Sequence, residues 1–135
     1  MRQHRGDIGA FLEQGSFAVV GASADRSKYG NKVLRCYRQH GLPVVAVNPK
    51  AAEVEGVVAY PSLRQVPSGI AAASVVAPPQ AAAQIVEDAV AHGIGWLWFQ
   101  PGAEDPAASA VARAAGVQVI DDGSCLLVAL GFRDE

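Results

Sequence analysis

Cysteine is scarce in this 135-residue chain. Cys36 and Cys125 stand far apart and outside C-x-x-C spacing, which excludes a disulfide scaffold and a thiolate zinc site and leaves both thiols reduced. Histidine is also sparse. His4, His40 and His92 have no nucleophile beside them in sequence, and His40 and His92 fall at expected helix C-termini, where partial positive charge suits the helix dipole. There is no surplus of basic charge: 11 Lys and Arg stand against 13 Asp and Glu, so the global balance gives no reason to expect a nucleic-acid partner. No apolar run approaches the ~18 residues of a spanning helix, and residues 1–16 carry Arg2, Arg5, Asp7 and Glu13 where a secretory signal needs an apolar core. These absences predict a chain without a membrane partner, resident in the cytoplasm. The dinucleotide fingerprint G-x-G-x-x-G is missing as well.

What the chain has in quantity is apolar side chain. Hydrophobic residues make up 50% and charged residues 18%, with no linker or low-complexity stretch, the composition of one compact α/β domain over residues 1–135. Ile8, Phe11 and Leu12 fall at helical spacing between Arg5 and Gln14 and predict a short N-terminal helix bracing the sheet. Residues 17–22 are almost wholly apolar, as a strand covered on both faces must be. Over residues 30–40, Val33, Leu34, Cys36 and Tyr37 form an inward stripe, with Lys32, Arg35, Arg38 and Gln39 assigned to solvent. A second strand follows over 43–47, while 56–61 allow a brief edge strand and 62–66 a single helical turn. Residues 72–77 read as a third buried strand and 80–92 as a helix with Ile85, Val86, Ala89 and Val90 inward. Trp96 to Phe99 form a fourth strand whose two tryptophans share a core-facing side. A helix over 105–115 carrying Val111, Ala112 and Ala115, a fifth strand over 117–120 and a short helix from Leu126 to Leu130 complete the pattern. Strands alternating with helices of this length require right-handed crossovers, which predicts a Rossmann-like, doubly wound parallel sheet of about five strands in the order 3-2-1-4-5, with helices on both faces.

In such sheets ligands bind outside the carboxyl ends of the strands, where the strand order reverses. The first strand ends in Gly21, Ala22 and Ser23, with Lys28 and Tyr29 just ahead of the next helix. Either this turn brings backbone N–H groups to a phosphate, or it is a strand-to-helix turn that favours small residues. The second strand ends in Asn48, Pro49 and Lys50. An NAD site carries an acid about 20 residues past its glycine turn, because a carboxylate accepts the ribose hydroxyls. An amide and a cation suit a ligand with extra negative charge, such as a 3′-phosphate on an adenosine ribose, although a lone lysine is more commonly a solvated loop cation. Pro78, Pro79, Pro101 and Gly102 are either rigid walls for an adenine or a pantetheine arm or ordinary turn devices. Asp121 and Asp122 are sequential turn carboxylates with no third ligand at metal spacing, so no metal site is assigned to them. Cys125 follows at the mouth of the expected pocket, either opening a helix as a thiol or packing as a small core residue.

Five motifs then carry a family resemblance. Val19-Val20-Gly21-Ala22-Ser23, Val47-Asn48-Pro49-Lys50, Tyr60-Pro61-Ser62-Leu63, Trp98-Phe99-Gln100-Pro101-Gly102 and Asp121-Asp122-Gly123-Ser124-Cys125 resemble the small bacterial and archaeal CoA-binding proteins. These are similar in turn to the CoA-binding domain of succinyl-CoA synthetase alpha subunits. The resemblance runs from Ile8 to Phe132. It implies that Gly21, Ala22 and Ser23 meet a pyrophosphate and that Asn48, Pro49 and Lys50 surround a 3′-phosphorylated adenosine. It also implies that Val76, Ala77, Pro78 and Pro79, with Gln100, Pro101 and Gly102, line the rest of the groove. Two departures are visible: Ala24-Asp25-Arg26-Ser27-Lys28 is polar where relatives often carry proline, and Asp122-Gly123-Ser124 replaces bulkier residues. The larger synthetases carry their phosphorylated histidine on a separate domain, so ligase activity does not come with the resemblance.

The resulting expectation is binding of coenzyme A or an acyl-CoA through its 3′-phospho-ADP part, without catalysis by this chain, acting as a homodimer or with a partner protein. An NAD(P)-dependent oxidoreductase subunit and a CoA-linked thiol switch at Cys125 are the alternatives.

Overall fold

The structure, a computed structural model, describes the backbone of residues 3–135 and the side chains from residue 7 onward. The His4 side chain lies outside the described residues. Six strands run parallel: β1 (Phe17–Val20), β2 (Val44–Val47), β4 (Val57–Tyr60), β5 (Ala72–Val75), β6 (Trp96–Phe99) and β7 (Gln118–Ile120). The two-residue β3 (Glu53–Val54) pairs antiparallel with β4. The spatial order is β3-β4-β2-β1-β5-β6-β7.

The doubly wound, Rossmann-like class is as expected, but one strand changes place. The run beginning at Ala72 does not lie outside β2; it pairs with the other side of β1, in the register Phe17↔Ala72 to Val20↔Val75. The position outside β2 goes to the brief edge strand, Val57–Tyr60. Burial gives the reason. All four β5 residues are buried, as a strand with neighbours on both sides requires, whereas β4 is half-exposed and suits an edge. Counting parallel strands in chain order, the sheet reads third, second, first, fourth, fifth, sixth, with its switch point between β1 and β5.

Alternation along β1 feeds two cores. Phe17 and Val19 face α1 (Gln3–Leu12), α2 (Tyr29–Gln39) and α5 (Leu126–Leu130), in a cluster with Phe11, Tyr37 and Trp98. Ala18 and Val20 face α3 (Ala82–His92) and α4 (Pro106–Ala114), in a cluster with Ile85, Leu97 and Phe99. The N-terminal helix is a brace: Phe11 is fully buried, stacks on Phe17 at 5.5 Å and meets Trp98 edge-on at 5.3 Å. Cys36 is core, as its place on the α2 stripe indicated.

Three side chains depart from their expected sides. Arg35 is buried, because Asn31 one turn earlier and Asp134 near the C-terminus both bond its guanidinium. Val90 and Val111 are exposed, 43% and 61%, because Ile85, Val86 and Ala89 already fill the inner face of α3, and Ala108 and Ala112 that of α4.

Candidate functional site

The loops leaving β1, β2, β4, β5 and β6, with the start of α5, enclose a cleft of about 1260 Å3 at the carboxyl edge of the sheet. Ordinary small-ligand sites span roughly 300–1,000 Å3, so this cleft accommodates a ligand larger than a mononucleotide.

Its centre is built by two glycines. At the end of β1, Gly21 turns at φ +92°, and a Cβ there would lie 1.7 Å from the Val76 carbonyl oxygen. In the first turn of α2, a Cβ on Gly30 would lie 2.0 Å from the Gly21 carbonyl oxygen. Turn and helix therefore touch backbone to backbone. Gly21 and Gly30 do in this chain what the missing compact glycine motif does elsewhere, bringing a helix N-terminus to the floor of the cleft. Lys28 caps α2 without a side-chain bond, so early N–H groups of an 11-residue helix stay available beside the cleft, together with the positive end of its dipole.

The loop between them is held from outside. Ser23 Oγ accepts from Asp25 N at 3.0 Å, and Asp25 Oδ1 accepts from Ser27 N and Oγ at 3.0 and 2.7 Å. The bonds from Ser27 keep the exposed Asp25 carboxyl below the usual carboxylate range. Behind it, buried Asn31 donates to Ser23 O at 2.7 Å and to Glu55 Oε2 at 2.9 Å, and accepts from Arg35 Nε at 2.7 Å. Arg26 pairs with Glu55 at 3.2 Å.

Asn48 is a hinge pin. Its Nδ2 donates to Ala22 O at 2.9 Å, while Oδ1 accepts from Lys50 N and Ala51 N at 2.8 and 3.0 Å. The ends of β1 and β2 are thus tied, and the turn that carries Lys50 is fixed. At the opposite end, Tyr29 Oη lies 2.6 Å from Cys125 Sγ and 3.2 Å from Gln100 Oε1, which also accepts from Leu126 N at 2.8 Å. Burial, then the contact with Cys125, pushes the Tyr29 hydroxyl above the ordinary tyrosine range, so it remains a donor.

Most residues predicted for the site converge here. Gly21, Ala22, Ser23, Lys28, Tyr29, Asn48 and Pro49 line the cleft, as do Val76, Ala77, Pro78, Pro101, Gly102 and Cys125. Three do not. Gln100 is fully buried beneath the wall, its Nε2 without a partner. Pro79 opens the 3-10 turn Pro79–Ala81 on the exposed side, and Lys50 is exposed just past the rim residue Pro49. Asp121 pairs with Arg113 at 3.0 Å, and Asp122 Oδ1 accepts from Ser124 N and Oγ at 3.0 and 2.6 Å. The sequence reading missed Leu63, Gln84, Ile85 and Asp88, which line the cleft between the 3-10 turn Leu63–Gln65 and α3. The signal was there: Gln84, Ile85 and Asp88 recur at i, i+1 and i+4 along one face of the helix.

Residues 15–130 match the family described as the CoA binding domain. Over 71 residues, 53% of this chain, the sequence is 37% identical to acetate–CoA ligase (ADP-forming) I of Archaeoglobus fulgidus, and over 85 residues, 62% of the chain, 32% identical to acetate–CoA ligase (ADP-forming) II subunit alpha of Pyrococcus furiosus. Those stretches span 10% and 19% of the two ligases' own lengths. A hypothetical protein from Pyrococcus horikoshii OT3 superposes with a TM-score of 0.85 at 31% identity, covering 93% of this chain and 90% of its own. The chain belongs to the CoA-binding domain family, whose ligand is coenzyme A. Among the described residues, no helix is long and apolar enough to cross a membrane.

Proposed function

We propose that the cleft binds coenzyme A or an acyl-CoA by its 3′-phospho-ADP part, as a single cytoplasmic domain that performs no chemistry of its own. The observation that carries this reading is the Gly21–Gly30 contact, which opens a large cleft onto the N-terminus of α2, the arrangement that suits a pyrophosphate. Apolar walls at Val76, Ala77, Pro78 and Pro101 suit the less polar parts of the ligand. Lys50, set by the Asn48 turn just outside the rim, reaches in to the ribose 3′-phosphate, and Lys28 adds a cation on the cleft wall. A second copy or a partner protein supplies whatever reaction the bound acyl group undergoes, consistent with the subunit character of the P. furiosus relative.

Calorimetry with CoA, 3′-dephospho-CoA and NADPH tests this. CoA should bind more tightly than 3′-dephospho-CoA by about 10-fold or more, the value of a charge-assisted contact, and Lys50→Ala should erase the difference. Equal affinities, or saturation by NADPH with no response to CoA, would refute it.

Cys125 supports a second reading, because its Sγ lies at the cleft wall against the Tyr29 hydroxyl. Exchange of the Cys125 thiol with a CoA disulfide would give a protein–CoA mixed disulfide and release one CoA thiol. Intact mass after incubation with CoA disulfide should then show the adduct in the native chain and none in Cys125→Ser.

A further inference from the structure

The cleft continues past Pro61 into a lobe between the 3-10 turn Leu63–Gln65 and α3, where buried Leu63 and Ile85 form an apolar floor. Among the described residues one carboxylate lines this lobe, Asp88, which is only 8% exposed. Its Oδ1 accepts from Arg64 Nε at 2.6 Å and from Gln84 Nε2 at 3.0 Å. Arg64 is delivered by the turn itself, since Ser62 Oγ caps it by accepting from Arg64 N at 3.2 Å. Both bonds fall on the same oxygen. The carboxylate is therefore fixed in orientation, and Oδ2 is the acceptor left for a molecule in the lobe.

Position then selects what meets it. Resting on the CoA reading above, the pyrophosphate lies at the Gly21 turn and the 3′-phosphate near Asn48 and Lys50, past the end of β2. The pantetheine arm runs the other way, toward β6 and Cys125. The base is the part of the ligand left to enter the lobe beyond β2, beside β4 and α3. We propose that Asp88 is a base-reading residue: its free oxygen accepts the exocyclic amine of adenine while Leu63 and Ile85 take the face of the ring. Guanine presents a carbonyl oxygen at the same edge position, which would meet the carboxylate acceptor to acceptor and is rejected.

The test is calorimetry with adenosine 3′,5′-bisphosphate, guanosine 3′,5′-bisphosphate, 4′-phosphopantetheine and CoA, on the native protein and on Asp88→Asn. In the native protein the adenosine compound should bind about 10-fold or more tighter than the guanosine compound. In Asp88→Asn the amide oxygen keeps the bonds from Arg64 and Gln84 while an amide nitrogen replaces the free acceptor. That preference should then vanish or invert, CoA should weaken by a similar factor, and 4′-phosphopantetheine, which has no base, should be unaffected. Equal binding of the two bisphosphates by the native protein overturns the assignment without any variant. So does a preference that survives in Asp88→Asn, or an equal loss for 4′-phosphopantetheine. These outcomes leave the CoA reading standing if CoA itself binds; failure of the native protein to bind CoA removes both.

Discussion

At Gly21 the backbone turns at φ +92° and any Cβ would sit 1.7 Å from the Val76 carbonyl oxygen, so strain and collision act together. Gly123 makes a useful contrast, with φ +88° but nothing within 4 Å of its added Cβ. Gly21→Ala should lower unfolding stability by at least about 3 kcal/mol and abolish CoA binding, whereas Gly123→Ala should cost only about 1 kcal/mol, both read from urea unfolding. Equal effects of the two substitutions would show that close approach at the first turn is unimportant. The residue scale is also where legibility was most uneven. Gly21, Ala22 and Ser23 could be read from sequence because a small-residue turn after an apolar run has few uses. Gly30 carries no such signal, since its constraint is a backbone atom nine residues earlier, the Gly21 carbonyl oxygen. Arg35 was assigned to water because its acidic partner, Asp134, is 99 positions away, beyond the reach of helical periodicity.

Among the elements, α2 carries the turn from Gly21 on one end and the C-terminal segment along its side. Arg35 Nη1 reaches Asp134 at 3.2 Å, Arg26 Nη2 donates to Glu135 O at 3.1 Å, and Gln39 Nε2 and Oε1 bond Arg133 O and N. The same guanidinium holds Asn31, which holds Ser23 and Glu55. Arg35→Ala should cost roughly 2–3 kcal/mol by leaving buried groups unpaired, and should weaken CoA binding without removing any cleft-lining residue. A variant with native affinity would mean the loop holds its shape without this support. Strand placement belongs to this scale as well. The apolar run at Ala72 announced a buried strand but not its neighbours. Which side of β1 it occupies depended on whether Val57–Tyr60 formed a strand, and that segment has almost no periodicity of its own.

Over the whole molecule, the core on the α1, α2 and α5 side of the sheet holds the buried acidic protons of Cys36 and Tyr37, with the half-buried Tyr29 at its edge. Burial pushes the Cys36 thiol from its ordinary 9.0 up to about 11, and burial likewise raises the hydroxyls of Tyr37 and Tyr29. Below pH 9 the Cys36 thiol is protonated whether the chain is folded or not, so its contribution is complete. As the pH climbs from 9 toward 11 the unfolded chain releases a proton that the folded one retains, and stability falls. The urea midpoint should therefore decline over that window in the native protein, with a later and shallower onset in Cys36→Ala. Identical pH profiles would contradict it. The overall class, the alternation of strand and helix and the edge at which a ligand would bind were legible because they follow from apolar runs and their spacing. The far lobe at Leu63 and Asp88 was not, because it is formed by two segments that meet only once the sheet has twisted them together.

The most direct measurement is a crystal structure of the protein soaked in coenzyme A. The pyrophosphate should lie within hydrogen-bond distance of the backbone N–H groups of the Gly21–Ser23 turn and the first turn of α2, with the 3′-phosphate against Lys50 and the base over Leu63. A pyrophosphate bound elsewhere on the surface, with that turn left in contact with solvent alone, would contradict the account.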